Sequence, residues 1–151
     1  MIMLSEYRRI FNEINELFNE NNMIYNQGAK KLDEYNLTVQ QENMLLYIMG
    51  HQGVTVNEIA AKFSITKSAV SQVLAKLEER KLILRKNNPK DRRESFISLG
   101  EEGKKYADMI DEADEAFVRK YLSRIEIEDL KQVLQTMKKI NGVIKESKEL
   151  R

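Results

Sequence analysis

Cysteine is absent from the 151 residues, which removes disulfides, thiolate chemistry and cysteine-ligated metals together. Histidine occurs once, as His51; with no cysteine to support it, no metal site is expected, and beside Gly50 and Gly53 it reads as a turn residue. No Ser/His/Asp or Cys/His set and no glycine-rich phosphate loop is visible, so the expectation is a protein that is not an enzyme and needs no cofactor. No stretch approaches the roughly 18 apolar residues of a membrane span. The chain turns polar within its first five residues, which argues against a Sec-type leader and for the cytoplasm. Proline also occurs once, as Pro89, and most of the rest runs at helical period.

With 32% charged and 42% hydrophobic residues, the composition is that of one globular domain, residues 1–151. The net charge of +1 by itself says nothing about nucleic acid. Its distribution does. From Lys62 to Arg93 there are ten lysines and arginines against three acids, a surplus of seven, which leaves the remainder at −6. A basic block in an acidic frame is the pattern expected where one face meets phosphate.

Apolar residues recur every three or four positions from Leu4 to about Leu32, through Tyr7, Ile10, Phe11, Ile14, Leu17, Phe18, Ile24 and Tyr25. This predicts a long amphipathic helix with a weak point at Asn21 and Asn22. Thr38 with Gln41 and Thr55 with Glu58 have capping-box spacing and predict two helix starts. A third helix follows Ser64-Ile65-Thr66, with Val70, Val73, Leu74 and Leu77 on one face. The period then changes. Leu82–Leu84 and Ser95–Leu99 are β-prone, and they flank the polar stretch Asn87–Arg93. This predicts a hairpin whose loop is too long for a two-residue turn. Helical period returns from Glu101 and again from about Glu126 to the end. The predicted fold is mainly α with a small β-hairpin.

Two helices joined by a short turn and followed by a basic hairpin describe a winged helix-turn-helix. A helix of this kind fits the major groove of double-stranded DNA. On a helical wheel the apolar residues of the third helix oppose Ser68, Ser71, Gln72, Ala75 and Lys76. Gln72 suits base readout, because its amide can pair with adenine on two atoms. Thr66, Lys67 and Ser68 lie at the helix start, where amides and dipole favour phosphate. The hairpin loop carries Lys90, Arg92 and Arg93 with one acid, Asp91; arginine on a projecting loop suits the electronegative minor groove. A solvated helix face and an ordinary charged turn are the alternatives, and both would have to occur side by side.

Leu37-Thr38-Val39-Gln40, Ile59-Ala60-Ala61, Thr66-Lys67-Ser68-Ala69-Val70-Ser71, and Asp91-Arg92-Arg93 with Leu99 and Gly103 resemble the MarR family of bacterial regulators (multiple antibiotic resistance regulators). The Asp-x-Arg of the wing falls on Asp91 and Arg93. The resemblance spans nearly the whole chain and implies a DNA-binding repressor that acts as a homodimer on a pseudo-palindromic operator. It implies that Arg93 or Arg92 enters the minor groove and that Asp91 holds the wing arginine or a helix partner in an ion pair. Residues 37–99 would form the DNA-binding lobe, with 4–33 and 101–147 as dimerisation helices. It also implies a small aromatic effector, and Phe11, Tyr25, Tyr47 and Tyr106 are candidates to line its pocket, with plain core packing the other reading. Two residues depart from the common pattern: Ser64 stands where many helix-turn-helix proteins have glycine, and Gly100 where the family usually has a capping threonine. The competing function is a winged-helix protein-docking module, which would need neither the basic block nor the arginine-tipped wing.

Overall fold

The computed structural model describes residues 3–149. The chain divides into two compact units, residues 1–113 and 114–151.

The first unit opens with α1 (Leu4–Gly28) and a 3-10 helix (Lys30–Tyr35). Helix α1 runs unbroken through Asn21 and Asn22. The α-helix ends at Gly28, several residues before the predicted end, and the 3-10 helix follows from Lys30. Helix α2 (Val39–Gly50) starts at a complete capping box: Thr38 Oγ1 accepts the Gln41 amide and Gln41 Oε1 accepts the Thr38 amide. Strand β1 (Val54–Thr55) leads into α3 (Val56–Phe63), then come α4 (Lys67–Glu79), β2 (Ile83–Asn88), β3 (Asp91–Leu99) and α5 (Glu101–Lys120). At Thr55 only half of the expected box forms. Its hydroxyl accepts the Glu58 amide at 3.2 Å, while its backbone pairs with Phe96 of β3.

The sheet is antiparallel with order β1-β3-β2, so the predicted hairpin gains a third strand. Helices α3 and α4 end alike. Ser64 (φ +53°) and Lys81 (φ +60°) adopt left-handed backbone, and the following amides, Ile65 and Leu82, donate back to Ala60 and Leu77. This is the hydrogen-bond pattern of a Schellman turn. It explains why glycine commonly stands at the position of Ser64: a side chain there costs about 1–2 kcal/mol.

The core is built from Met44, Leu45 and Ile48 of α2, Ile59 of α3, the α4 face, and Ile83, Ile97 and Leu99 of the sheet. Val70, Val73, Leu74 and Leu77 are the buried residues of α4, as its period predicts. Burial of each large aliphatic side chain contributes roughly 1.5–3 kcal/mol, so this core holds α4 and the sheet in one body.

Gly100 and Gly103 sit where the sheet meets α5. A Cβ at Gly100 would stand 2.3 Å from the Lys81 carbonyl oxygen, and one at Gly103 would stand 2.0 Å from that of Leu82. Those two carbonyls accept the amides of Glu102 and Gly100. The start of α5 is thus satisfied by the backbone before β2, which leaves no room for the threonine cap and no need for one.

The second unit holds the end of α5, a 3-10 turn (Leu122–Arg124) and α6 (Ile127–Glu149). Phe117 and Tyr121 pack with ring centroids 5.1 Å apart.

Candidate nucleic-acid interface

Helix α4 begins at Thr66, whose hydroxyl accepts the Ala69 amide at 3.1 Å. That oxygen caps the helix, which leaves its hydrogen available to donate. Thr66, Lys67, Ser68, Gln72 and Lys76 are exposed and Ser71 is half-buried. The polar face predicted from the wheel is therefore the solvent face, and the apolar face opposite it is locked in the core.

The wing differs from expectation. Strands β2 and β3 continue through the polar residues and meet in a two-residue turn, Pro89-Lys90, where a longer loop was predicted. The apolar run that begins at Leu82 ends at Leu84, so the pattern could not show that backbone pairing continues. The extra residues lie in β3. Asn87 faces Ser95 while Asn88 faces Asp91, which leaves Arg92, Arg93 and Glu94 bulged out of register with no paired residue on β2. Bulges re-aim side chains, and here Arg92 and Arg93 are exposed beside exposed Lys90 and Asp91.

Side chains hold this tip. Asn88 Oδ1 accepts the Lys90 amide at 3.0 Å, and Asn88 Nδ2 donates to Glu94 Oε2 at 3.1 Å. Asp91 Oδ1 accepts the Arg93 amide at 3.0 Å. The ion pair expected of Asp91 is not formed among the described residues. Its carboxylate instead shapes the backbone under Arg93, the local bond that aspartate makes in tight turns.

Arg85 joins the wing to α4, and sequence reasoning did not single it out. Its Nη2 donates to the Ser71 carbonyl at 3.2 Å, and its Nε lies 3.6 Å from Glu78 Oε1. Arg85 falls within the basic block, but only the fold tells a bridging arginine from a solvated one.

The four aromatic candidates for an effector pocket have different settings. Phe11 is exposed on α1 and Tyr25 is half-buried there. Tyr47 stacks on His51 at 4.2 Å and meets Phe63 edge-on at 5.8 Å. Tyr106 is buried, packs edge-on to Tyr35 at 5.0 Å, and lines a cavity of about 260 Å³ with Leu32, Asp33, Asn36, Leu37 and Glu42. Burial first, then the Glu42 carboxylate and Tyr35, push its phenol up to about 12. Among the described residues no group of His, Asp and Glu is placed to hold a metal ion, and no helix is long and apolar enough to cross a membrane.

A sequence model of the MarR family matches residues 35–94, from the end of the 3-10 helix into the wing. The transcriptional regulator TcaR of Staphylococcus aureus is 30% identical over 115 residues, 75% of this chain and 76% of its own. The transcriptional repressor MdtR of Bacillus subtilis is 29% identical over 111 residues, 74% of this chain and 72% of its own. Among solved structures, the S. aureus MepR–DNA complex aligns at 28% identity with a TM-score of 0.61, covering 85% of this chain and 96% of that one. A helix-turn-helix with an arginine-tipped wing, matched by these relatives over most of its length, is a winged-helix transcription regulator, and the chain belongs to the MarR family.

Proposed function

We propose that this chain represses transcription in the cytoplasm by binding double-stranded DNA as a homodimer. Helix α4 enters the major groove, where Ser68, Ser71 and Gln72 meet base edges while Thr66, Lys67 and Lys76 hold phosphates. Lys90 also meets phosphate, and Arg92 and Arg93 enter the adjacent minor groove. One observation carries this reading: the exposed polar face of α4 shares a rigid body with a hairpin whose bulge thrusts out two arginines. The DNA-bound state of MepR supports it, as does the repressor role named for MdtR. These relatives do not favour a protein-docking module.

Residues 37–99 form the reading lobe in this proposal, and 4–33 and 101–147 the dimerisation region. Helix α1 leaves Leu4, Tyr7, Phe11 and Leu17 exposed, and α6 leaves Ile127, Val133, Leu134 and Val143 exposed. Apolar surface of that extent calls for a partner, and a second copy would supply the two-fold symmetry of a pseudo-palindromic operator. The two copies of α4 would then lie about one DNA turn, roughly 34 Å, apart. An effector seated beside Tyr106 would meet Asp33 and Glu42, so that cavity disfavours an aromatic acid and suits a neutral or cationic compound.

Fluorescence anisotropy against promoter DNA from the protein's own locus, titrated with salt, tests the proposal. Binding at two protomers per site that weakens steeply with salt is expected. A folded dimer that binds no DNA at low salt would overturn it.

A further inference from the structure

Arg85 lies third in β2, and beyond it Lys86 and Asn87 are exposed. It faces Ile97, one residue before the last position at which β1 backs the hairpin. Both groups it engages belong to α4: the Ser71 carbonyl at 3.2 Å and the Glu78 carboxylate at 3.6 Å. They are seven residues apart, two helical turns, and so lie on one side of the helix. The Ser71 carbonyl can take the guanidinium on its second lone pair without giving up its helical bond.

This joint is chemically unusual. The Arg85 side chain is only 26% exposed, and its Nε is buried without a hydrogen-bond acceptor. At 3.6 Å, Glu78 offers charge but lies beyond hydrogen-bond reach. A partly desolvated cation is disfavoured unless its partners compensate it, and an aliphatic residue would fill a half-buried position at less expense. What arginine adds is geometry. Its planar guanidinium donates to the Ser71 carbonyl while another edge faces the Glu78 charge, a fixed two-point arrangement that a compact lysine ammonium does not reproduce.

The two DNA-reading elements lie on either side of this joint. Ser71 is next to Gln72 on α4, and the wing tip with Arg92 and Arg93 extends beyond Arg85. Past Lys86 and Phe96, where β1 ends, strand pairing in the hairpin is between β2 and β3 alone, and two-stranded ribbons twist easily. We propose that Arg85 is a positioning residue for operator recognition. It locks the wing to α4, so that Gln72 and Arg93 meet the major and minor grooves in fixed register. This rests on the DNA-binding proposal above, and it assigns Arg85 specificity rather than bulk affinity.

The absence of cysteine allows a test that does not depend on DNA. Spin labels at Ala75→Cys on α4 and Lys90→Cys at the wing tip, in dimers diluted with unlabelled protein, report the helix-to-wing distance by pulsed electron resonance. A narrow distribution is expected for the parent and a broad one for Arg85→Lys and Arg85→Met. Anisotropy on the unlabelled variants should show Arg85→Lys losing on the order of tenfold in operator affinity. Its affinity for random DNA and its salt slope should stay at parental values, because the charge is kept. Should Arg85→Met fail to fold, as judged by circular dichroism, Arg85→Lys carries both measurements. Unchanged distance distributions, or full operator affinity in Arg85→Lys, would sink the proposal. If the parent binds no DNA while the distances broaden as expected, the lock stands and the DNA-binding reading fails.

Discussion

Asn88 and Glu94 close the wing: Asn88 Nδ2 donates to Glu94 Oε2 at 3.1 Å across a bulge that contains Arg92 and Arg93. The other end of the same amide holds the turn, with Oδ1 accepting from Lys90. One half-buried residue thus sets both the turn and the bulge. Asn88→Ala is expected to leave the melting temperature nearly unchanged, because the hairpin tip adds nothing to the core. Operator affinity should fall by about 1 kcal/mol, roughly fivefold, as the arginines lose their fixed approach. Wild-type affinity in an anisotropy titration would show that the tip needs no such clamp.

Arg93 and Gln72 should separate charge from readout. Arg93→Ala removes a cation, so binding to any DNA weakens and the slope of log K against log salt becomes shallower by about 1. Gln72→Ala should keep that slope and lose about 1–3 kcal/mol of discrimination at a single base pair. The measurement is a salt series on the operator and on single-site variants of it. Identical behaviour of the two mutants would mean that α4 and the wing do not divide the work as proposed.

Gly103 is a packing requirement. A methyl group there would meet the Leu82 carbonyl at 2.0 Å, and the acceptor is backbone that cannot swing aside. Gly103→Ala is expected to destabilise the lobe by about 3 kcal/mol or more, read as a lower urea midpoint. A loss below about 1 kcal/mol would show that α5 can slide away from the sheet at little expense.

Tyr106 should make stability fall in strong alkali. Its phenol is pushed up to about 12 in the folded chain, chiefly by burial, against 10.0 ordinarily. Between those values the unfolded chain releases the proton and the folded chain keeps it, so stability is whole below about pH 10 and declines towards about pH 12. The limit for the full shift is about 2–3 kcal/mol. Tyr106→Phe has no proton to lose and should show a shallower decline in urea titrations from about pH 9 to about pH 11. Parallel declines in the two proteins would mean that other groups set the alkaline limit.

Where the governing interactions are local, the sequence alone determined the result. Thr38 and Thr66 cap helices through amides three residues on. Val70, Val73, Leu74 and Leu77 share one face because a helix turns every 3.6 residues, and burying that face turns Ser68, Gln72 and Lys76 outward. The surplus of basic residues between Lys62 and Arg93 is likewise a property of composition, as is the absence of cysteine.

The tertiary structure decided whatever depends on which distant segments meet. Strand β1 is two residues long, too short for any period, and exists because Val54 and Thr55 find Ile97 and Phe96. The two-residue turn at Pro89-Lys90 and the bulge after Asp91 follow from the register of β2 against β3, which polar residues do not announce. Gly100 looks like a poor cap in the sequence. In the fold it is the only residue type that lets the start of α5 approach the Lys81 carbonyl so closely. Arg85 is one basic residue among ten until α4 and β2 are side by side. Its role depends on a separation of 3.2 Å between groups fourteen residues apart, set by the core beneath them rather than by any neighbour in the chain.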